Sequence, residues 1–203
     1  MSLKNDDFDT DLRVGTVTRF GGMTSTPRTL VDIFRATVRM HPLQPAIRDR
    51  DESINYQSVL ERVKVLASTL REQGVGPGRR VGIRMSSGKS DLYIGILAIL
   101  FAGGSYVPVD REDSEERART VFDTADVYGV LDDQGFHLRR PPVDAASELT
   151  LDDDAWVIFT SGSTGTPKGV AITHRSAAAL VDAEARTFPV SYTHLTLPTI
   201  YSV

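Results

Sequence analysis

Hydrophobic residues recur along the first third of the chain with the spacings of short helices and a hairpin. A first amphipathic helix is predicted to begin after Thr29, which we interpret as its N-cap. Two short segments, Ala46–Ile47 and Ser53–Ile54, flank a charged turn and indicate a small hairpin. A longer amphipathic helix, residues 59–70, is predicted next, and Gly74 lies just beyond its end.

From residue 80 onward, apolar runs of strand type alternate with helical patterns. The alternation is typical of a layered α/β domain whose sheet is largely parallel, which is the fold class we predict. The predicted elements are, in order, strand Arg80–Met85, helix Asp91–Phe101, strand Tyr106–Val109, a helix from Ser114 to about Ala125, strand Tyr128–Leu131, strand Ala155–Phe159, strand Val170–Ile172 and a helix near Ser176–Arg186.

Composition narrows the class of protein. The 203 residues are 40% hydrophobic and 25% charged, which is ordinary for a globular protein, and the net charge of −4 does not favour nucleic-acid binding. The chain has no cysteine, and its four histidines lack the spacing of metal ligands. The longest apolar run, Leu92–Ala102, is too short to span a bilayer. We therefore expect a cytoplasmic protein without a membrane partner.

The segment most informative about function is the loop between the last two predicted strands. It is built almost wholly of glycines and hydroxyl residues and leads into Lys168. Glycines allow the backbone to approach a ligand closely, successive N–H groups form an anion-binding concavity, and a lysine adds a compact cation. The sequence therefore predicts a polyphosphate-binding loop. The candidate phosphate-binding residues are Thr160, Ser161, Gly162, Ser163, Thr164, Gly165 and Lys168.

This loop differs from the Walker A loop of P-loop NTPases, in which a helix begins at the lysine. Here Pro167 precedes the lysine, Gly169 follows it, and strand-type residues come next. Instead, F-T-S-G-S-T-G-T-P-K-G-V closely resembles the signature of adenylate-forming enzymes, namely acyl-CoA synthetases, luciferases and the adenylation domains of peptide synthetases.

Two further segments support this resemblance. Residues 97–110 have the sequence L-A-I-L-F-A-G-G-S-Y-V-P-V-D, which resembles a second segment of the family. The sequence of this segment favours amino-acid adenylation domains. Its own residues indicate close packing at Gly103–Gly104 and a fixed exit at Pro108, which is a structural role. The stretch from Asp152 onward is also similar to peptide-synthetase-like enzymes of the poly-lysine synthetase type. We interpret Asp152–Asp154 as a solvated acidic loop before a strand rather than a metal site.

The resemblance divides the chain into three parts. Residues 1–27 are predicted to be a flexible leader, and residues 28–189 the N-terminal part of an AMP-binding domain with an αβα layering. Residues 190–203 read as the translation of a sequencing adapter. The family's ribose-binding acid, magnesium-binding glutamate and C-terminal subdomain with its catalytic lysine would lie further on. We therefore expect no catalytic residue in this fragment, and no activity from it alone.

The resemblance implies ATP and Mg²⁺ as cofactors, with Thr164 the hydroxyl expected nearest the metal. The longer parent would activate a carboxylic acid, by preference an amino acid, as an acyl-adenylate with release of pyrophosphate. A phosphopantetheine carrier domain or coenzyme A would then accept the acyl group. Two alternatives stay open at this point: a fatty acyl-CoA ligase of the same superfamily, and a non-catalytic nucleotide-binding module.

Overall fold

The computed structural model describes residues 26–49, 52–141, 148–160 and 167–187 of the chain. Helices and strands alternate through most of these ranges, as predicted. The elements are α1 (Leu30–Met40), β1 (Pro45–Arg48), β2 (Ser53–Asn55), α2 (Tyr56–Glu72), β3 (Arg80–Arg84), α3 (Ser90–Ala102), β4 (Ser105–Pro108), α4 (Glu115–Thr124), β5 (Gly129–Asp132), β6 (Gly135–Leu138), β7 (Asp154–Thr160), β8 (Lys168–Thr173) and α5 (His174–Thr187).

Helix starts follow the predicted capping chemistry. Thr29 and Asp32 form a reciprocal capping box at α1, since the Asp32 N–H donates to Thr29 Oγ1 at 3.2 Å and the Thr29 N–H donates to Asp32 Oδ2 at 3.0 Å. Ser114 caps α4 as predicted, its hydroxyl accepting from the Arg117 N–H at 3.1 Å. At the other end of α2, Gly74 adopts a φ of 88°, a left-handed conformation that glycine takes without strain.

Six strands form the main sheet, in the order β6-β5-β3-β4-β7-β8. The four central strands are parallel, while β6 and β8 pair antiparallel at the two edges. The prediction of a largely parallel sheet is thus confirmed. Strand β6 was not predicted, because its sequence Gly-Phe-His-Leu lacks the continuous apolar run that indicated β4 and β5. The predicted hairpin of β1 and β2 forms a separate two-stranded sheet.

Helices cover both faces of this sheet, so the αβα layering is confirmed. Helices α1, α2, α3 and α5 share one buried core with sheet residues such as Tyr106 and Trp156. Helix α4 packs on the other face, against residues that include Val107 and Val157. Successive residues within β4, and likewise within β7, therefore point into opposite cores, as expected for a strand that is buried on both faces. No helix in the described ranges is long and apolar enough to cross a membrane.

The first and last helices are tied directly to each other. Arg28, just before α1, forms an ion pair with Asp182 of α5, with Nη2 2.6 Å from Oδ1. Both side chains are only partly exposed, at 31% and 20%. A contact between residues 154 positions apart therefore closes the helical layer on this face.

The predicted close packing after α3 is confirmed. Gly103 has a φ of 96°, and a Cβ atom built there would lie 3.0 Å from Pro77 Cδ. At Gly104 a Cβ atom would lie 3.0 Å from both the Arg79 carbonyl oxygen and Val75 Cγ1. Two glycines are required here because the chain turns from α3 into β4 directly against the segment that leads into β3.

Candidate functional site

The predicted phosphate loop connects the two strands of an antiparallel hairpin. In the hairpin, Thr160 at the end of β7 is paired with Lys168 at the start of β8, and Phe159 is paired with Gly169. Thr160 and Lys168 are both exposed and stand opposite each other where the strands separate. The prediction of strand-type runs on either side of the loop is confirmed.

Of the seven candidate phosphate-binding residues, Thr160 and Lys168 are therefore brought together. The other five, Ser161, Gly162, Ser163, Thr164 and Gly165, lie outside the described residues. Their contact with phosphate, and that of Thr164 with magnesium, stay predictions. Among the described residues, no group of three histidines or carboxylates is arranged to hold a metal ion.

The hairpin lies at the ligand-binding edge of the sheet, although not at the point where the winding reverses. The chain runs from β3 through α3 to β4 on one side of β3, then from β4 through α4 to β5 on the other side, so the winding reverses between β3 and β5. Ligands of open α/β sheets bind beyond the carboxyl ends of the strands, typically at such a reversal. Because β7 is parallel to β4, with Tyr106 paired to Trp156, Thr160 lies at this carboxyl edge.

Lys168 makes no ion pair with another described residue, although most of the described arginines are paired. An exposed ammonium without a carboxylate partner is available to an anionic ligand, and a compact cation suits a phosphate oxygen. The geometry thus supports the predicted role without showing the ligand.

The same edge holds a helix N-terminus that is closed to anions. Gly88, Lys89 and Ser90 lead into α3, but the Ser90 N–H donates to Asp49 Oδ2 at 3.0 Å and its hydroxyl donates to Glu52 Oε1 at 3.0 Å. Carboxylates thus already occupy the positive end of this helix. Hydrogen bonds from Arg62 and from Ser90 hold the pKa of Glu52 below its usual range, so it stays charged.

Gly169 is explained by packing rather than by ligand contact. A Cβ atom at this position would lie 2.9 Å from Phe159 Cζ and 3.2 Å from Val157 Cγ1. The Phe159 ring therefore lies across the strand over the glycine that follows Lys168. Only glycine leaves room for this ring, which in turn fixes the strand pairing next to Lys168.

The acidic run before β7 is partly solvated and also makes structural contacts. The Asp152 side chain is 72% exposed and accepts two hydrogen bonds from Arg175. Asp153 accepts hydrogen bonds from the N–H and the hydroxyl of Thr150 at 2.6 and 2.8 Å. Asp154 belongs to β7 and pairs with Arg80 at 3.2 Å. The run therefore fastens the start of the hairpin to α5 and to β3.

His174, which the sequence analysis did not single out, is the most buried polar side chain near the hairpin. It is the first residue of α5, it directly follows β8, and it is fully buried. Its Nδ1 atom accepts from the Leu30 N–H at 3.4 Å, whereas Nε2 is buried without a partner among the described residues. Burial lowers the pKa of His174, against the opposing effect of Asp153, Asp32 and Asp154. A neutral imidazole thus joins the hairpin to α1.

Comparison with curated proteins finds synthases and synthetases that are much longer than this chain. The chain is 40% identical over 167 residues to the AMB antimetabolite synthetase AmbB of Pseudomonas aeruginosa, covering 73% of this chain and 13% of that protein. It is 37% identical over 172 residues to tyrocidine synthase 3 of Brevibacillus parabrevis, again over 73% of this chain but 3% of the relative. The chain therefore spans only a small part of these relatives.

Solved structures agree with this comparison. The nonribosomal peptide synthetase FmoA3 superposes with a TM-score of 0.67 at 30% identity, over 81% of this chain and 19% of that one. The N-terminal subdomain of Klebsiella oxytoca NpsA superposes with a TM-score of 0.66 at 27% identity, over 76% and 45%. A sequence model described as AMP-binding enzyme matches residues 34–140 and 132–201. The resemblance to adenylate-forming enzymes is thereby confirmed, and the chain belongs to the family of AMP-binding enzymes.

Proposed function

We propose that this chain is part of a peptide-synthetase adenylation domain that activates an amino acid with ATP and Mg²⁺. The carboxylate oxygen of the acid would attack the α-phosphorus, the bond to the bridging oxygen would break, and an aminoacyl-adenylate and pyrophosphate would result. The observation that carries the proposal is the pairing of Thr160 with Lys168 at the carboxyl edge of the sheet, on either side of a glycine- and hydroxyl-rich loop.

The residues of this chain would orient the nucleotide rather than perform the chemical step. Backbone N–H groups and hydroxyls of residues 160–165 would cradle the β- and γ-phosphates, while the Lys168 ammonium would pair with a terminal phosphate oxygen. Magnesium would neutralise charge on the phosphates, with Thr164 supplying a hydroxyl near it. Such a site contributes positioning and stabilises the charge that grows on the leaving pyrophosphate.

Related solved structures support the substrate class. FmoA3 has been solved in an AMPPNP-bound form and in an α-methyl-L-serine-AMP-bound form. The NpsA N-terminal subdomain has been solved with anthranilyl-AMSN. Since the similar curated proteins are peptide synthetases, we infer an amino acid as the substrate and a phosphopantetheine carrier domain as the acceptor of the acyl group.

The test is amino-acid-dependent exchange of labelled pyrophosphate into ATP. A longer protein that contains this chain should exchange with one or a few amino acids and not with fatty acids. The 203-residue chain alone should show no exchange above a blank, because the family's catalytic lysine and ribose-binding acid are expected elsewhere. Exchange with fatty acids alone would favour an acyl-CoA ligase, and nucleotide binding without any exchange by the longer protein would favour a binding module.

A further inference from the structure

A groove between α1 and α2 has a lining that is both apolar and cationic. It has a volume of about 330 Å³. Its apolar residues are Val38, Pro42 and Leu60, and its cations are Arg35, Arg39 and Lys64. No carboxylate is among the described residues that line it. The groove therefore suits a segment that presents apolar side chains together with negative charge.

Helix periodicity places the cations along the groove. Arg35 and Arg39 are four residues apart on α1, and Lys64 follows Leu60 by four residues on α2, so each pair shares one helix face. The Arg35 guanidinium lies 5.1 Å from the centroid of the Phe101 ring, a contact that holds it beside α3. Arg39 and Lys64 are exposed, and neither forms an ion pair with another residue of the described ranges.

The groove lies away from the last described helix. Helix α5 contacts the start of α1, through the ion pair of Arg28 with Asp182 and the hydrogen bond from Leu30 to His174. The groove is lined instead by the second half of α1, by the turn after it and by residues 57–64 of α2. It is therefore formed without any residue that follows α5.

The start of the chain carries the complementary chemistry. Residues 6–12, here called the acidic segment, have the sequence D-D-F-D-T-D-L, with four aspartates around Phe8 and Leu12. Phe8 and Leu12 are four residues apart, the spacing at which two side chains can share one face of a helical turn. From residue 12 to residue 31 the chain has no other carboxylate side chain, so negative charge before α1 is concentrated in this segment.

The acidic segment is close enough in sequence to reach the groove. Residues 13–25 connect it to Thr26, the first described residue, and when extended they span on the order of 40 Å. Helix α1 has 11 residues and is about 16 Å long. Because the segment is tethered, its effective concentration at the groove is on the order of millimolar, which favours it over a second copy or a separate acidic protein.

We propose that the acidic segment docks in the α1–α2 groove of its own chain, with Phe8 and Leu12 on the apolar lining and aspartates paired with Arg39 and Lys64. Docking removes apolar surface from water and supplies the carboxylates that the described ranges do not place there. Exposed ion pairs are individually weak and are screened by salt, so the segment exchanges between docked and free states and is released at high ionic strength.

The test is paramagnetic broadening of NMR signals in the full 203-residue chain. Because the chain has no cysteine, Thr10→Cys allows a single nitroxide label to be attached within the acidic segment. Amide signals of residues 35–42 and 57–64 should be broadened at low salt and should recover in concentrated sodium chloride. Signals of α4, which packs on the other face of the sheet, should stay sharp.

Arg39→Gln combined with Lys64→Gln should reduce this broadening about threefold or more, because both ion pairs are lost. The matched control is Lys89→Gln with Arg119→Gln, which removes the same charge from two exposed residues outside the groove and should leave the broadening unchanged. Equal broadening of α4, or broadening that survives the groove variant, would overturn the proposal. So would equally strong broadening of an isotope-labelled chain by a spin-labelled second copy, since the segment would then dock between molecules.

Discussion

The imidazole of His174 accepts a hydrogen bond from the backbone N–H of Leu30, with 3.4 Å between Nδ1 and N. The two residues are the first of α5 and the first of α1, and the Leu30 N–H is one of the donors that a helix start leaves without an intrahelical partner. Nδ1 can accept only while it carries no proton. The junction between the phosphate-loop hairpin and α1 therefore depends on a neutral histidine.

This dependence predicts that stability falls in mild acid. The pKa of His174 is lowered by burial, so the folded state binds a proton less readily than the unfolded state. Its contribution to stability is complete above the unfolded pKa of about 6.5 and is lost progressively as pH falls from there toward the folded pKa. Urea unfolding from pH 7.5 to 5 should show this loss in the wild type.

His174→Asn is the matched variant, because its amide oxygen can replace Nδ1 as the acceptor but does not titrate. It should show a smaller change in unfolding free energy over the same pH range. His137→Gln controls for the removal of a histidine from the surface, where that side chain is 53% exposed. Equal pH dependence of the wild type and His174→Asn would contradict the assignment.

Gly169→Ala is predicted to destabilise the hairpin by about 1–3 kcal/mol through overpacking. The added methyl group would meet the Phe159 ring at 2.9 Å and force it to move. A double-mutant cycle with Phe159→Leu measures the coupling: the alanine should cost less once the ring is gone. Additive effects of the two substitutions would show that the ring does not set the requirement for glycine.

Thr29→Ala should lower the unfolding free energy by about 0.5–2 kcal/mol, since it removes the capping side chain of α1. Burial raises the pKa of Asp32, but hydrogen bonds from the backbone and the side chain of Thr29 outweigh this effect, so the pKa is lowered. The substitution removes the side-chain hydrogen bond of this pair. Thr120→Ala, which removes an exposed hydroxyl in the middle of α4, is the control and should be nearly neutral. Chemical denaturation of the wild type, Thr29→Ala and Thr120→Ala at neutral pH measures the three unfolding free energies to be compared.

Lys168→Ala, in a longer enzyme that contains this chain, should lower kcat/KM for ATP on the order of ten- to a hundredfold. The ammonium is expected to hold a terminal phosphate and to stabilise charge on the departing pyrophosphate, so both kcat and KM should change. Steady-state kinetics with ATP varied and the acid saturating measure the effect. Lys64→Ala on α2 provides the control, and a change below twofold at Lys168 would leave it without this role.

The elements could be predicted where local chemistry decides them. Thr29, Ser114 and Gly74 mark helix ends through hydrogen bonds and backbone angles that a short stretch of sequence specifies. The glycine- and hydroxyl-rich loop carries its own chemical signature, so the loop and the strand-type runs on either side of it could be predicted as well, although not their antiparallel pairing.

Contacts between distant residues were not predictable in this way. Nothing in the local sequence indicates that His174 would meet Leu30, or that Phe159 would cover Gly169, because both contacts depend on how strands and helices pair in space. The ion pairs of the acidic run 152–154 were not predicted for the same reason, since its arginine partners lie 23 and 74 residues away.

The ion pair between Arg28 and Asp182 also determines how early this helical layer can form while the chain is being synthesised. The residues at the start of α1 leave the ribosome before α5 exists, and translation of the 153 positions between Arg28 and Asp182 takes on the order of ten seconds. During that interval α1 can contact α2 and α3 but neither the carboxylate of Asp182 nor the imidazole of His174. The docking of α5 therefore follows the contacts of α1 with α2 and α3, and α1 is secured on this side only when α5 has been made.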